Sequence, residues 1–274
     1  MNKFSNKKQE GKRSSLQFWK EMIEKVAQID FQEPIPEISP RFIHIWARHY
    51  FKIASMEPLQ EPILEVGAGY GVLATGLGKL SMEKIITTEH PSRAYLSNSE
   101  YHQFLKSHKV ELVSCDLLKG LPFANKSFRQ IYFCDVIEHL PPTKMIFALR
   151  EIHRVLMPGG KLILSTPNLN RLSNFFRFLA GHSVNPPLEV GMIGETYGHI
   201  RELAPKELKN MLLKVGLIPE KWEYITNPYF AVEAFGEDNI FSLKKARLIN
   251  GLTRILIRIL PHTGDEIFVT AHKQ

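Results

Sequence analysis

In the stretch CDVIEHLPP, the side chains Asp135, Glu138 and His139 stand in the order D-x-x-E-H. Two carboxylates and an imidazole at this spacing can take up a proton near neutral pH or hold a cation. On a helix they would share one face. A further imidazole, His199 in YGHIREL, could join them if the fold returned it to the same place. For His139 three roles stay open from the residues: general base or acceptor-orienting group, local cap, and metal ligand. Earlier in the chain, ILEVGAGYGVLATGL sets out Glu65, Gly67, Ala68, Gly69 and Gly71. Glycine weakens strands and helices, so three at alternate positions call for a reason. A tight turn with a ligand against its bare backbone supplies one.

The elements that would carry these groups follow from short apolar runs: PILEV, KIITTE, VELVSC, QIYFCD and KLILST, separated by helical stretches. Strands alternating with helices specify a parallel sheet covered on both faces. The glycine turn then follows the first strand, where a nucleotide-like cofactor lies in such sheets. Its spacing differs from the G-x-G-x-x-G of dinucleotide binders. Glu89 ends the second strand, 22 residues beyond Gly67, close to the separation of about 20 at which an acid reaches ribose hydroxyls. Asp116 closes the third strand in VSCD, where it could accept a bond from an exocyclic amine, and Asp135 closes the fourth. One carboxylate at a strand end is usually just solvated; three at successive ends point to a site.

The order EVGAGYG, TEH, SCD, CDVIEHLPP and LMPGGKLILSTPN, over about residues 60 to 170, resembles the class I S-adenosylmethionine-dependent methyltransferases. The resemblance implies an α/β fold, a doubly wound Rossmann-like sheet of seven strands whose last, EIFVTAHK, is antiparallel. It implies that Glu65, Gly67, Ala68, Gly69 and Gly71 form the cofactor turn, with Gly67 and Gly69 bracketing the methionine part. Glu89 would hold the ribose, Asp116 and Leu117 border the adenine, and Asp135 face the sulfonium. Many relatives carry Asp where this chain has Glu89, a change that keeps both acceptor oxygens. The ubiquinone-pathway O-methyltransferases and small-RNA 3'-end methyltransferases use E-x-x-E-H at the D-x-x-E-H position to hold a divalent cation, the latter with a further histidine downstream. Here Asp135 replaces the first Glu, so S-adenosylmethionine is the expected cofactor, with no metal assigned. His139, Glu138 and His199 are the expected catalytic group. The wider pattern is similar to bacterial methyltransferases of surface sugar and lipid biosynthesis.

Composition narrows the setting. The chain has 274 residues, 44% apolar, enough for a large core. Its two cysteines, Cys115 and Cys134, and a polar N-terminus lead us to expect a reducing, cytoplasmic location. No stretch approaches a membrane span, so membrane contact would be peripheral. The net charge of +7 sits at the ends: residues 1 to 30 carry seven basic and four acidic side chains, residues 241 to 274 six and two, and the middle balances. Nucleic-acid binding is disfavoured by that distribution. The expected organisation is a disordered basic tail (1–13), an N-terminal helical extension (14–57), and a methyltransferase domain (58–274) with insertions near 168–200 and 227–262. Leu16, Trp19, Ile23 and Val26 mark one helix of the extension, and Phe42, Ile43, Trp46 and Tyr50 a second. Phe175, Phe176 and Phe178 in one insertion, and Tyr229 and Phe230 in the other, are candidates to line an acceptor pocket. Residues 243–260 read as a helix with a stripe of Leu248, Leu252, Ile255, Leu256, Ile259 and Leu260, which either packs on the core or lies on an anionic membrane. The favoured activity is O-methylation of a small molecule, glycan or lipid-linked intermediate. Alternatives are methylation of RNA or of a small amine, and a cofactor-binding regulator without turnover.

Overall fold

Ile63–Val66 is buried at every position, the carboxylate of Glu65 included, as expected of β1 with a neighbouring strand on each side. One neighbour is β2 (Ile85–Glu89), in parallel register with Leu64 opposite Ile86; the other is β4 (Phe128–Cys134), with Glu65 opposite Tyr132. Beyond β2 lies β3 (Val110–Ser114), also parallel. With β5 (Leu156–Pro167), β6 (Leu217–Ile225) and β7 (Glu266–Lys273) these make one seven-stranded sheet in the order β3-β2-β1-β4-β5-β7-β6, β7 running antiparallel. The order reverses between β1 and β4, the switch point at which open α/β sheets place ligands. The computed structural model describes residues 15–31, 40–184, 198–226, 251, 253 and 255–274. The expected tail, the loop with Pro34 and Pro36, Tyr229, Phe230 and residues 243–250 lie outside the described residues.

The chain divides into two compact units. The first holds residues 1–134, 150–163 and 272–274. In it, α1 (Leu16–Val26) and α2 (Pro40–Ser55) pack on each other, and α3 (Val72–Leu80) follows the glycine turn. Ser15 caps α1 by accepting from Phe18 N, and Asn98 caps α4 (Ser99–Ser107) by accepting from Glu100 N and Tyr101 N. The buried face of α1 is Trp19, Met22, Ile23 and Val26, so Met22 takes the place expected for Leu16. Trp19 is wholly buried and its ring lies against Gly76 of α3, where any Cβ would collide with it. Phe31 then inserts among Tyr70, Tyr95 and Tyr101, with ring centroids 4.9 to 5.7 Å away.

The second unit holds residues 135–149 and 164–271. Its core includes Leu208 and Leu212 of α7 (Pro205–Lys214) with Leu217 and Phe268. Asn168 ties it together, donating from Nδ2 to the carbonyls of His262 and Gly264. α5 (Pro142–Val155) begins here, and the aromatic segment forms α6 (Leu172–Leu179), whose Phe175, Phe178 and Leu179 are exposed. Of the expected helix over 243–260, residues 251, 253 and 255–259 are helical. Among the described residues of this helix, Thr253 and Ile257 are buried, while Ile255, Ile259 and Leu260 are exposed. Of the expected stripe, Ile255, Ile259 and Leu260 thus face outward, and the polar Thr253 takes a buried position that hydropathy alone does not assign to it. The D-x-x-E-H segment also differs: β4 stops at Cys134, Asp135 has a left-handed φ of 56°, and Ile137–His139 is a 3-10 turn rather than a helix.

Candidate active site

The glycine turn lies in the first unit. Gly67, Gly69 and Gly71 have φ of 88°, 49° and 79°, all left-handed, which is why side-chain-bearing residues are excluded there. Two bonds from Gly67 N and Ala68 N to the Thr88 carbonyl, at 3.0 and 2.8 Å, anchor the turn to β2. A Cβ on Gly69 would meet nothing within 4 Å, whereas one on Gly71 would press on Leu105 and Tyr101. The backbone at Gly69 is therefore open on one side, as a closely approaching ligand requires. Gly69 N donates to Glu89 Oε2 at 2.8 Å, and the same oxygen accepts from Tyr95 OH at 3.2 Å. Glu89 Oε1 accepts from His90 N, with Arg93 3.6 Å away. Tyr101 OH donates to the Gly69 carbonyl at 3.2 Å. Turn and strand-end acid are thus one hydrogen-bonded assembly, and Tyr95 and Tyr101, which sequence reasoning missed, brace it.

Glu65 is only 3% exposed and accepts from Thr87 Oγ1 at 2.7 Å. Burial, and secondarily the Glu89 charge, push its carboxyl up to about 8 against the opposing Thr87 bond. Asp116 Oδ1 accepts from Leu118 N at 2.9 Å, capping a short turn in which Leu117 is buried.

The second unit gathers the histidines. Ser165 Oγ donates to Asp135 Oδ1 at 2.9 Å. Glu138 is fully buried: Oε2 accepts from Thr166 Oγ1 at 3.0 Å, and Oε1 has no hydrogen-bond partner among the described residues. Burial first, then the Asp135 charge, hold its carboxyl well above the usual range. The Glu138 carbonyl accepts from Ile200 N and Arg201 N at 2.8 and 3.1 Å, stapling the His199 segment to the 3-10 turn. In consequence the His139 and His199 rings meet edge-to-face with centroids 5.1 Å apart. His139 Nδ1 lies 3.3 Å from the Gly198 carbonyl, and His199 Nδ1 3.3 Å from Glu202 Oε1. One ligand-type atom from each of Glu138, His139 and His199 lies within 4.8 Å of the others. The three residues expected to act together are brought together, while Asp135 is not part of that triangle. Glu202 and Arg171, which pair with each other, were missed. Their only sequence signal is the His199–Glu202 spacing of H-x-x-E.

Comparison with known proteins accords with this geometry. Residues 64–164 match the family described as "Methyltransferase domain". The ubiquinone biosynthesis O-methyltransferase of Dechloromonas aromatica (strain RCB) is 25% identical over 208 residues, covering 75% of this chain and 83% of that protein. That of Pseudomonas syringae pv. tomato is 24% identical over 179 residues, covering 64% and 70%. Among solved structures, the cyclase SpnF superposes with a TM-score of 0.55 at 17% identity over 96% of both chains, a likeness of fold. Residues 64–164 thus form a methyltransferase domain, on the sheet expected of the class I S-adenosylmethionine-dependent enzymes. Among the described residues, no helix is long and apolar enough to cross a membrane.

Proposed function

We propose that this enzyme methylates a hydroxyl oxygen of a small molecule, glycan or lipid-linked intermediate, with the acceptor's proton handled at Glu138, His139 and His199. In this reading Gly67, Ala68, Gly69 and Gly71 take the methionine end of the cofactor, Glu89 the ribose, and Asp116 and Leu117 the adenine. The buried Glu65 supports the turn from behind. The cofactor supplies an activated methyl group, so the chain's own task is alignment, exclusion of water and management of one proton. An alcohol has a pKa near that of water, about 15.7, against about 6.5 for imidazole, so outright deprotonation would cost roughly 12 kcal/mol. Without a metal to lower that pKa, the proton must leave while the methyl arrives, which needs a base already in place. The observation that carries the proposal is the pair of imidazoles 5.1 Å apart beside a buried carboxylate. Relatives named as ubiquinone biosynthesis O-methyltransferases support an oxygen acceptor over RNA or an amine.

One observation favours a second reading of the same side chains. A fully buried carboxylate with one oxygen lacking a hydrogen-bond partner, facing two imidazoles, also fits a divalent cation. Glu138, His139 and His199 would hold it, and it would lower the pKa of a bound hydroxyl.

The test is transfer of isotope from methyl-labelled S-adenosylmethionine into a metabolite extract, with the product identified by mass spectrometry. The expected product carries a new methyl ether or ester. Gly69→Val should lose transfer together with calorimetric binding of the cofactor. Label found only in RNA or on nitrogen would overturn the oxygen assignment. EDTA separates the two readings of the cluster: activity that survives it assigns the histidines to proton transfer, and activity lost to it and restored by a divalent cation assigns them to the metal.

A further inference from the structure

We infer that Glu202, held from behind by Arg171, is a positioning residue that fixes His199 in the tautomer protonated on Nδ1, leaving Nε2 to receive the acceptor's proton. This rests on the reading of the histidine cluster given above. It goes beyond that reading by assigning the base to His199 rather than His139 and by adding two residues behind it.

Glu202 is 4% exposed. Arg171 Nη1 donates to its Oε2, and a guanidinium stays protonated, so the buried partner it pairs with is the charged carboxylate. An ionised carboxylate only accepts hydrogen bonds. The ring nitrogen facing Oε1, Nδ1 at 3.3 Å, must therefore be the donor, and the lone pair must lie on Nε2. Oε2 is taken by Arg171 Nη1, and Arg171 also reaches the Asn168 carbonyl at 3.4 Å, so the carboxylate is gripped on its far side. The backbone on both flanks is fixed as well: Ile200 N and Arg201 N bond to Glu138 O, and Leu169 N bonds to Leu203 O at 3.1 Å. His139 differs in one respect that matters. Its Nδ1 faces a backbone carbonyl, whereas the Nδ1 of His199 faces a carboxylate that is itself held in an ion pair. During transfer the acceptor's O–H bond breaks as its oxygen gains the methyl. The proton passes to Nε2 of His199, and the imidazolium later returns it to solvent.

Glu202→Gln isolates this role, because it keeps the shape and removes the charge. Arg171 needs an acceptor, so the amide oxygen turns to it and the NH2 faces His199 Nδ1, forcing that nitrogen to accept and moving the proton to Nε2. Nitrogen-15 imidazole spectra of the cofactor-bound protein, with His199 assigned by the signals lost in His199→Gln, read the tautomer directly. The expected result is Nδ1–H in the wild type and Nε2–H in Glu202→Gln. Cofactor affinity should hold within about twofold while labelled-methyl transfer into the extract falls by about 100- to 10,000-fold, the scale of a catalytic base held in the wrong tautomer. Glu202→Asp, which keeps the charge, should keep the Nδ1–H signature. A wild-type His199 protonated on Nε2 overturns the inference without any variant. So does a Glu202→Gln enzyme that keeps the original tautomer or transfers at the wild-type rate. The tautomer is measured without an acceptor, so it still decides the role of Glu202 if the extract shows that oxygen is the wrong acceptor.

Discussion

Glu65 opens the glycine motif, yet its side chain is folded inward against Thr87. Its type and position were legible in the sequence, but its burial was not, because a carboxylate among apolar residues reads as solvated until its strand gains neighbours on both sides. That burial has a measurable consequence. The folded chain keeps a proton on Glu65 up to about 8, while the unfolded chain releases it near 4.5. Between those values the folded state binds more protons, so stability falls as pH rises through the window. The fall should be roughly 1 kcal/mol per pH unit between about pH 5 and 7. Glu138, also raised by burial, acts in the same direction. Urea unfolding at several pH values should therefore show declining stability in the wild type and a shallower decline in Glu65→Gln, which has no proton to lose. Equal slopes in the two proteins would mean that Glu65 is ionised in its buried place.

At the level of elements, strand–helix alternation carried most of the fold, and β7 falls on the expected EIFVTAHK. What differed was the inward face at residues 253–260 and the form of a short segment. D-x-x-E-H is too short to show a period, and the strained residue at its head, Asp135, is where the helical reading breaks down. The His139–His199 contact could not be read from a sequence because 59 residues separate His139 from the Gly198 carbonyl it faces. The N-terminal helices read as an addition, but α1 shares a core with α3, the helix that leaves the glycine turn. The contact is between Trp19 and the bare face of Gly76, so the turn's own helix depends on the extension. Gly76→Val would force branched atoms into the Trp19 ring. Overpacking of this kind costs about 3 kcal/mol at the upper end of its range, well above the few tenths gained from helix propensity. The thermal midpoint should fall accordingly and S-adenosylmethionine affinity should drop with it. A variant as stable as the wild type would show that the extension docks elsewhere.

For the whole molecule, charge and exposed apolar surface coincide at the C-terminal end. Residues 241 to 274 carry six basic and two acidic side chains, while residues 31 to 240 balance. Within the same stretch Ile255, Ile259 and Leu260 are exposed, Ile259 at 70%, with Arg258 exposed beside them. Ile255 and Ile259 are four apart on helical backbone and so lie on one face. On the same backbone Thr253 and Ile257 face inward, which leaves Ile255 and Ile259 outward. An apolar pair beside an exposed cation suits the interface of an anionic bilayer, where each basic residue contributes about 1 kcal/mol and the isoleucines add burial among acyl chains. Binding of this strength is weak and salt-sensitive, because much of it is charge attraction screened within about 10 Å at 0.1 M salt. Protein mixed with phosphatidylserine-containing vesicles at low salt should float with them, and should stay at the bottom with neutral vesicles or in high salt. Ile255→Glu with Ile259→Glu should abolish flotation without changing cofactor affinity, since both side chains already face solvent. Wild-type protein remaining at the bottom with anionic vesicles at low salt would assign the exposed isoleucines to contact with something other than lipid.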